Sequence, residues 1–486
     1  KEQHREPDID DPGFYPDEDD IPDGTGYTSR SNDQFSWDNL VFSARWRHDF
    51  TSRLQFQLQL SQSRNPTDVG QFVSYELGPY ASEATKEFVG IETEHFRSDR
   101  FRTDNHILDR TLRADWTMRP GQKHDVNFGG GYSLIRLNYF WKNFSELSDQ
   151  NELVVFFDNA PENFEYRRSL RQYYFYVEDL WKITPNLSFR TGVRFEKRDF
   201  VNSWVVEPRI NISYQLNQHT FVKAAYGRFH QGLATSLEKG NLQVVPLLFA
   251  TDHGPSPQSA DHFVIGAEAD RNRWKFTAEA YYKSFNDLIQ TASGAPDFET
   301  GTGHAYGLEL GVKKFGDRLN LEFNYALSFS QRSFEGHEYY TSFDQRHNLA
   351  ALGQYQLGKQ WTFNFRWVFA TGRPFTPDRV IYPERIFDPS TGEWVLGYDD
   401  DSSRIDERKI KNNARFPLYH RLDISLIKRI QKRGWALLPY IQILNTYFRW
   451  NPLYYTFESD YRVGTYKLTS VPMMPLVPTF GVSLEF

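Results

Sequence analysis

Hydrophobic and polar residues alternate strictly along many stretches of this chain. Between Leu54 and Leu60 every second residue is apolar, and the residues between them are glutamines. The same period of two recurs within residues 187–196, 274–283, 319–330 and 361–369. Successive side chains of a β-strand point to opposite faces, so a period of two is typical of strands. The sequence therefore predicts an all-β protein whose strands have one apolar and one polar face.

The alternating runs are long, about 10 to 13 residues, whereas strands of soluble proteins usually have about 5 or 6. A strand that crosses a membrane at a tilt needs about 9–11 residues. Charges on the polar face would be rejected by a sandwich core but accepted by a water-filled barrel in lipid. A large soluble β protein such as a propeller is the alternative, with shorter strands and repeating blades.

A barrel assigns a direction to each side chain of the alternating runs. We expect the following residues to face lipid: Leu54, Phe56, Phe276, Phe323, Phe365 and Leu484. We expect the following residues to face the lumen: Arg190, Arg194, Glu196, Glu279, Glu322 and Arg366. Either these charged residues are solvated parts of the wall, or they contact a releasable plug inside it.

About seventeen strands are predicted, and short and long connections alternate between them. The short turns lie near residues 49–51, 120–123, 184–186, 217–219, 270–273, 315–318, 358–360 and 430–434. The longer segments cover residues 63–105, 143–165, 229–259, 285–303, 331–343, 371–415 and 447–475, with one short connection near 199–203. Outer-membrane barrels sort their connections this way, with short periplasmic turns and long extracellular loops.

The direction of the strands bears on where the chain begins. The first clear strand, about residues 35–50, runs into a short turn and so descends towards the periplasm. Residues 1–34, which are acidic, would then lie outside the cell, and residues 35–486 would form the barrel portion. Closed single-chain bacterial barrels have an even number of strands. An odd number means either that one strand is overlooked or that part of the barrel is missing from this chain, and we favour the second interpretation.

Composition and motifs exclude several classes of function. The net charge of −7 argues against nucleic acid as the main partner, because a basic footprint is missing. The absence of cysteine excludes disulfides, cysteine-based zinc sites and thiol catalysis. No apolar run approaches the roughly 18 residues of a transmembrane helix. We find no His-Glu-x-x-His, Gly-x-Ser-x-Gly or P-loop motif, so we expect neither an enzyme nor a cofactor.

The last strand and several internal segments resemble known outer-membrane proteins. Alternating apolar residues end the chain on an aromatic residue, as in the C-terminal signal that barrel-assembly machinery reads: Phe480, Val482, Leu484 and Phe486. Further segments, in their order and spacing, resemble the barrel of TonB-dependent receptors of Bacteroidota-like bacteria: 174–181, 192–196, 207–209, 226–231, 259–268, 281–289, 306–309, 343–348, 370–376 and 441–448.

The resemblance implies a receptor of the Gram-negative outer membrane that imports a scarce nutrient, with about 22 strands around a plug. We find no plug or TonB box here, so about five strands and the plug are expected in a separate fragment or an earlier part of the same polypeptide. The implied partners are outer-membrane lipid and lipopolysaccharide, this missing segment, a periplasmic TonB-type energiser and a surface lipoprotein. Two alternatives remain: a passive porin-like channel of 16 or 18 strands, and a barrel that anchors a surface complex.

Aromatic and acidic residues in the long loops are candidates for ligand and metal binding. Exposed aromatic rings can bind sugars, peptides or aromatic chelators, and they can equally pack loop against loop; the candidates are Tyr339, Tyr340, Trp394 and Tyr398. Calcium prefers oxygen ligands such as those of Asp399, Asp400 and Asp401. No complete calcium-binding loop motif accompanies them, so a solvated acidic loop is the alternative. The identity of the nutrient (siderophore, vitamin, glycan or peptide) does not follow from the sequence.

Overall fold

The computed structural model describes residues 2–4, 25–79, 95–149, 152–156, 163–199, 201, 204–236, 247–250, 257–291, 298–376, 384–388, 393–397, 411–460 and 465–485. Every regular element in these ranges is a β-strand. No helix within them is long and apolar enough to cross a membrane.

The strands are β1 (Glu2–His4), β2 (Thr25–Trp37), β3 (Leu40–Thr51), β4 (Leu54–Pro79), β5 (His95–Met118), β6 (His124–Asp149), β7 (Glu152–Phe156), β8 (Asn163–Lys182), β9 (Leu187–Arg198), β10 (Val205–Asn217), β11 (Thr220–Gln231), β12 (Leu233–Ser236), β13 (Leu247–Ala250), β14 (Gln258–Arg271), β15 (Trp274–Thr291), β16 (Phe298–Lys314), β17 (Leu319–Phe334), β18 (His337–Tyr340), β19 (His347–Leu357), β20 (Trp361–Ala370), β21 (Pro374–Phe375), β22 (Glu384–Asp388), β23 (Glu393–Gly397), β24 (Ala414–Arg415), β25 (Tyr419–Lys428), β26 (Ile430–Lys432), β27 (Trp435–Leu444), β28 (Pro452–Asp460), β29 (Thr465–Pro472) and β30 (Val477–Glu485).

One antiparallel sheet contains 22 of these segments. Five of them (β1, β2, β7, β18 and β26) extend or continue a neighbouring strand, which leaves seventeen principal strands. Each principal strand pairs with the next one along the chain, from β3 and β4 to β27 and β30. The predicted number of strands is confirmed, and the topology is an up-and-down meander.

The connections at the two ends of the sheet differ in length. At one end, which we call the short-turn end, the strands are joined by residues 52–53, 119–123, 183–186, 218–219, 272–273, 315–318, 358–360 and 433–434. At the other, the long-loop end, most connections are much longer, and several contain short hairpins of their own such as β22–β23 and β28–β29. The predicted alternation of short turns and long loops is confirmed.

Several strands extend well beyond the predicted limits at the long-loop end. β4 has 26 residues, β5 has 24 and β6 has 26, so much of residues 63–105 and 143–165 is strand where the sequence predicts loop. Likewise the first strand starts at Thr25, since β2 continues β3 and pairs with the end of β4. Apolar alternation is short or interrupted in these extensions, so the sequence pattern does not predict them as strand. The acidic run within residues 5–24 lies outside the described residues.

The first and last principal strands each have a single neighbour among the described residues. β3 pairs only with β4, and β30 pairs only with β27. The porin-like alternative requires the first strand to pair with residues 479–486, and the described part of the chain contains no such pairing. Two edges with unpaired backbone groups result, and such edges usually pair with further chain.

The strand register sorts side chains onto two faces across the whole sheet. Tracing in-register partners from β9 to β20 places all six charged residues predicted to face the lumen on one face, which we call the polar face. The six residues predicted to face lipid lie on the opposite, apolar face, as do Phe480, Val482 and Leu484 of β30. Phe486 lies outside the described residues.

Candidate functional site

Buried charges form a compact network on the polar face, near the long-loop ends of β9, β10 and β11. We call it the arginine–glutamate network; its members are Arg194, Glu196, Arg198, Glu207 and Arg209. Arg194 donates to Glu196 at 2.7 Å, and Arg198 forms a close ion pair with the same carboxylate. Arg209 contacts Glu207 at 3.3 Å. Arg194 also lies 3.8 Å from Glu207, and this contact joins the group on β9 to the group on β10.

The network shows that one residue of the predicted lumen wall is buried. Glu196 is predicted to be either solvated or in contact with a plug, yet only 3% of its side chain is exposed and 9% of that of Arg198. The ring of Tyr174 covers Arg194, whose Cζ lies 3.8 Å from the ring centroid. Burial of this kind needs neighbours from several strands, which a one-dimensional pattern does not contain.

Segments 207–209 and 226–231, which carry the family resemblance, meet at this network. Glu207 accepts a hydrogen bond from the backbone N–H of His230 at 2.9 Å. Arg209 lies over the ring of Phe229, with 5.0 Å between Cζ and the ring centroid. Beside it, Arg228 makes two hydrogen bonds to Asp261, at 2.9 and 2.7 Å. The motif residues therefore join β10, β11 and β14 to one another.

The other predicted lumen residues line a more open wall. Arg190 contacts Glu178 at 3.4 Å. Glu322 forms an ion pair with Lys313 at 3.0 Å and accepts a hydrogen bond from the side-chain amide of Asn324 at 2.9 Å. Glu279 and Arg366 are exposed on the same face. This part of the polar face fits a hydrated surface whose contacts break and reform easily.

A cavity of about 450 Å³ opens on the polar face beside the arginine–glutamate network. Its lining includes Gln57, Arg113, Asp115, Tyr174 and Tyr176. The hydroxyl of Tyr176 donates to Asp115 at 2.5 Å. A side chain at Gly131 would collide with the ring of Tyr174. Gly129 and Gly131 thus leave room for the rings of Tyr176 and Tyr174 against the wall.

At the long-loop end, Asp344 is the centre of a second polar cluster. Its carboxylate is fully buried and accepts hydrogen bonds from the backbone of Ser330 at 2.8 Å and from Arg346 at 3.0 Å. Arg415 forms a close ion pair with the same carboxylate and donates to the carbonyl of Gly372 at 3.1 Å. Asp344 and Arg415 together therefore join three separate loop segments.

The segment 370–376 packs tightly against the strand that returns from the longest loop. β21 and β24 form a short ladder that pairs Pro374 with Arg415. A Cβ atom on Gly372 would overlap the carbonyl of Phe416, so only glycine fits there. The residues in 343–348 and 370–376 that carry the family resemblance therefore have a structural role, and no catalytic arrangement is formed by them.

Two of the predicted ligand-binding aromatics pack within this loop region. The hydroxyl of Tyr339 contacts Gln290 and Lys411 at 3.2 and 3.1 Å, and the ring of Tyr340 lies against Arg346, with Cζ 4.4 Å from the centroid. Burial raises the pKa of the Tyr339 hydroxyl. The contacts of Tyr339 and Tyr340 are those expected if these aromatic rings pack loop against loop. A role for them in ligand binding stays a prediction.

Of the remaining predicted site residues, the structure describes Trp394. Trp394 lies in β23, where it pairs with Phe387 of β22. Tyr398, Asp399, Asp400 and Asp401 lie outside the described residues. Within the part of the chain that is described, no group of His, Asp and Glu side chains could hold a metal ion.

A turn after β27 depends on one buried asparagine. Asn445 has a φ of 52° and is 1% exposed. Its side chain donates to the carbonyls of Arg449 and Met474 at 3.0 and 2.9 Å and accepts from the backbone N–H of Arg449 at 3.0 Å. Its own N–H donates to Asp423 at 3.0 Å. Asparagine is among the few residues that adopt this left-handed conformation readily.

Comparison with known protein families agrees with this architecture. The family model described as "TonB dependent receptor-like, beta-barrel" matches residues 4–445. The chain belongs to this family, and it is an outer-membrane β-barrel. The family consists of receptors and transporters, and not of enzymes. No curated protein matches the chain significantly.

Solved structures with the same fold are distant in sequence. The ferric-catecholate import receptor Fiu of E. coli K12 is 11% identical with a TM-score of 0.57, over 95% of this chain and 65% of that receptor. The ferric preacinetobactin receptor BauA of Acinetobacter baumannii is 10% identical with a TM-score of 0.52, over 96% and 64%. The ferric citrate transporter FecA is 12% identical with a TM-score of 0.56, over 96% and 74%. This chain therefore spans about two thirds of the length of such receptors.

Proposed function

We propose that this chain is the barrel portion of a TonB-dependent receptor that imports a scarce nutrient across the outer membrane. The family match over residues 4–445 carries the proposal. A periplasmic TonB-type energiser would act on a plug inside the barrel. That plug and about five further strands would come from the missing segment, as an earlier part of the same polypeptide or as a separate fragment.

The character of the polar face supports a plug that can be moved. Partly exposed ion pairs, such as Arg190 with Glu178 and Lys313 with Glu322, contribute only about 0–1 kcal/mol each. A plug held by contacts of this kind could be displaced at modest cost. The buried arginine–glutamate network would meanwhile stiffen the wall, because its ion pairs join β9 to β10.

The nutrient would be recognised at the long-loop end. Siderophore complexes are one candidate class, since the named relatives bind ferric catecholate, ferric preacinetobactin and ferric citrate; vitamins, glycans and peptides are the others. Residues 393–401, with Trp394, Tyr398 and the three aspartates, are the proposed contact segment. A surface lipoprotein and lipopolysaccharide would be the neighbouring partners at this end.

Uptake by intact cells tests the proposal. Cells with and without the gene would be given radio-iron as ferric catecholate or ferric citrate, radiolabelled cobalamin, or fluorescent oligosaccharides and peptides. We expect one class to accumulate only in cells that have both the gene and the energiser. Accumulation that survives loss of the energiser would contradict the proposal and favour a passive channel. Surface binding with no uptake of any class would favour an anchoring role.

A further inference from the structure

Three tryptophans share an unusual position on the apolar face of the second half of the sheet. Each is the first residue of a strand that follows a short turn, and each lies directly across the ladder from a lysine. The pairs are Trp274 with Lys314, Trp361 with Lys428, and Trp435 with Lys432. We call this region, on β15 to β27, the Trp–Lys sector.

The geometry places each lysine beside an exposed indole at the edge of the membrane. The ammonium of Lys314 lies 5.4 Å from the ring centroid of Trp274, and that of Lys428 lies 5.1 Å from the centroid of Trp361. Trp274, Trp361 and Trp435 are exposed to 38, 39 and 40%. Tryptophan rings with one apolar and one wet side are typical of the headgroup level of a membrane.

The charge around these pairs is one-sided. Among the described residues of β15, β16, β17, β19, β20, β25, β26 and β27, no carboxylate lies on the apolar face within four positions of a short turn. Two carboxylates at this end are already paired, Asp317 with Arg273 at 3.2 Å and Glu485 with Arg429 at 2.8 Å. The adjoining turns add further cations: Arg318, Lys359 and Arg433.

The other half of the barrel provides a contrast. There Trp181 lies across from His124, and the imidazole of His124 contacts Asp179 at 2.6 Å. The tryptophan is present, but the residue across from it is a histidine that hydrogen-bonds to a carboxylate, and not a lysine. The excess positive charge beside exposed indoles is therefore a feature of one sector and not of the whole rim.

We propose that the Trp–Lys sector binds the phosphate groups of anionic phospholipids in the periplasmic leaflet. Short turns mark the periplasmic end of an outer-membrane barrel, where the leaflet consists of phospholipid. A lysine stem lies along apolar surface while its ammonium reaches the headgroups, and the attraction to anionic lipid grows with each cation near the surface. The inference depends on membrane insertion, and it holds whether or not the barrel imports a nutrient.

Native mass spectrometry tests the proposal on protein extracted from its own outer membrane with every segment it carries there. Phosphatidylglycerol and phosphatidylethanolamine would be titrated separately. We expect wild type to prefer phosphatidylglycerol. The triple variant K314Q/K428Q/K432Q should lose about tenfold or more in affinity for phosphatidylglycerol, with little change for phosphatidylethanolamine. The triple Lys→Arg variant at the same positions should retain the preference.

A matched control removes the same charge from the polar face. The triple variant K223Q/K275Q/K313Q changes the polar face of β11, β15 and β16 and no lysine of the sector, so it should bind phosphatidylglycerol as wild type does. Equal loss in both Gln variants, or no loss in the sector variant, would overturn the proposal. Equal binding of the two lipids by the wild-type protein would also overturn the proposal. This measurement needs no variant, so it remains decisive if the sector variant fails to fold.

Discussion

At the scale of single residues, the long-loop end depends on a few buried polar side chains. Asp344 is the clearest case, because two arginines and a backbone amide converge on one fully buried carboxylate. Removing one partner of a buried ion pair is costly, since the remaining charges lose their compensation. The carboxylate of Asp344 therefore holds Arg415, which also bonds to the carbonyl of Gly372, so three loop segments depend on this contact.

We expect Asp344→Ala to loosen the loop region by about 3 kcal/mol. Hydrogen exchange of the backbone amides in 371–376 and 411–416 would measure the change. Asp317→Ala is the control: it removes an ion pair with Arg273 in which the carboxylate is 85% exposed, so its effect should be about 0–1 kcal/mol. Equal protection in wild type and the Asp344 variant would contradict the role given to this residue.

Asn445 allows backbone and side-chain effects to be separated. Asn445→Ala loses the side-chain hydrogen bonds and also places alanine in the left-handed region, which costs about 1–2 kcal/mol by itself. Asn445→Gly loses only the hydrogen bonds. We therefore expect faster exchange of the Thr446 and Arg449 amides in both variants, with the larger effect in the alanine variant. The reverse order would mean that the turn does not depend on the positive φ.

Alternation along a strand does not predict which residues of the polar face are buried. Alternation places Glu196 and Glu279 on the same face, and the register confirms that placement. Yet Glu196 is buried among arginines while Glu279 is exposed. The difference depends on which side chains stand across from each glutamate on the two neighbouring strands, and alternation within one strand does not contain that information.

At the scale of elements, the two faces of each strand should respond oppositely to charge. Phe323→Arg places a cation on the apolar face of β17 and should cost about 2–4 kcal/mol if the residue lies near the middle of the bilayer. Asn324→Arg, one position along on the polar face, should cost far less. Equilibrium folding into lipid vesicles under increasing urea measures both. Equal costs would argue that β17 is not lipid-exposed on one side.

The last strand is expected to direct assembly. Deletion of Phe486 should reduce the amount of folded barrel in the outer membrane while synthesis stays unchanged, because the terminal aromatic completes the alternating series of Phe480, Val482 and Leu484. Heat-modifiable gel mobility of outer-membrane fractions, compared with total protein, measures the folded share. Normal insertion of the shortened chain would remove the terminal-signal interpretation.

Elements within the membrane were predictable, and those above it were not. Turns such as 358–360 and 315–318 were found because apolar alternation stops on both sides of them. The upper part of β4, by contrast, contains Pro66, Asp68 and Gly70 and still pairs with β5 over its whole length. Backbone hydrogen bonding to long neighbouring strands outweighs weak local strand preference there.

At the scale of the whole molecule, the seventeen strands form one continuous wall with a polar and an apolar face. The family match, the sorting of turns and the two faces agree on an outer-membrane barrel. The edges at β3 and β30, and the share of the relatives' length that this chain spans, fit the prediction that further strands and a plug complete it. That completion stays a prediction.

The central claim is that lipid contacts one face of these strands and water the other. The chain contains no cysteine, so single cysteines can be introduced one at a time from residue 319 to 329 and spin-labelled in the assembled protein in membranes. Collision with oxygen, which is concentrated in lipid, and with a water-soluble nickel complex should alternate with a period of two. Label at Phe323 should favour oxygen and label at Glu322 should favour nickel. Uniform access of the nickel complex to both positions would contradict a membrane-spanning barrel.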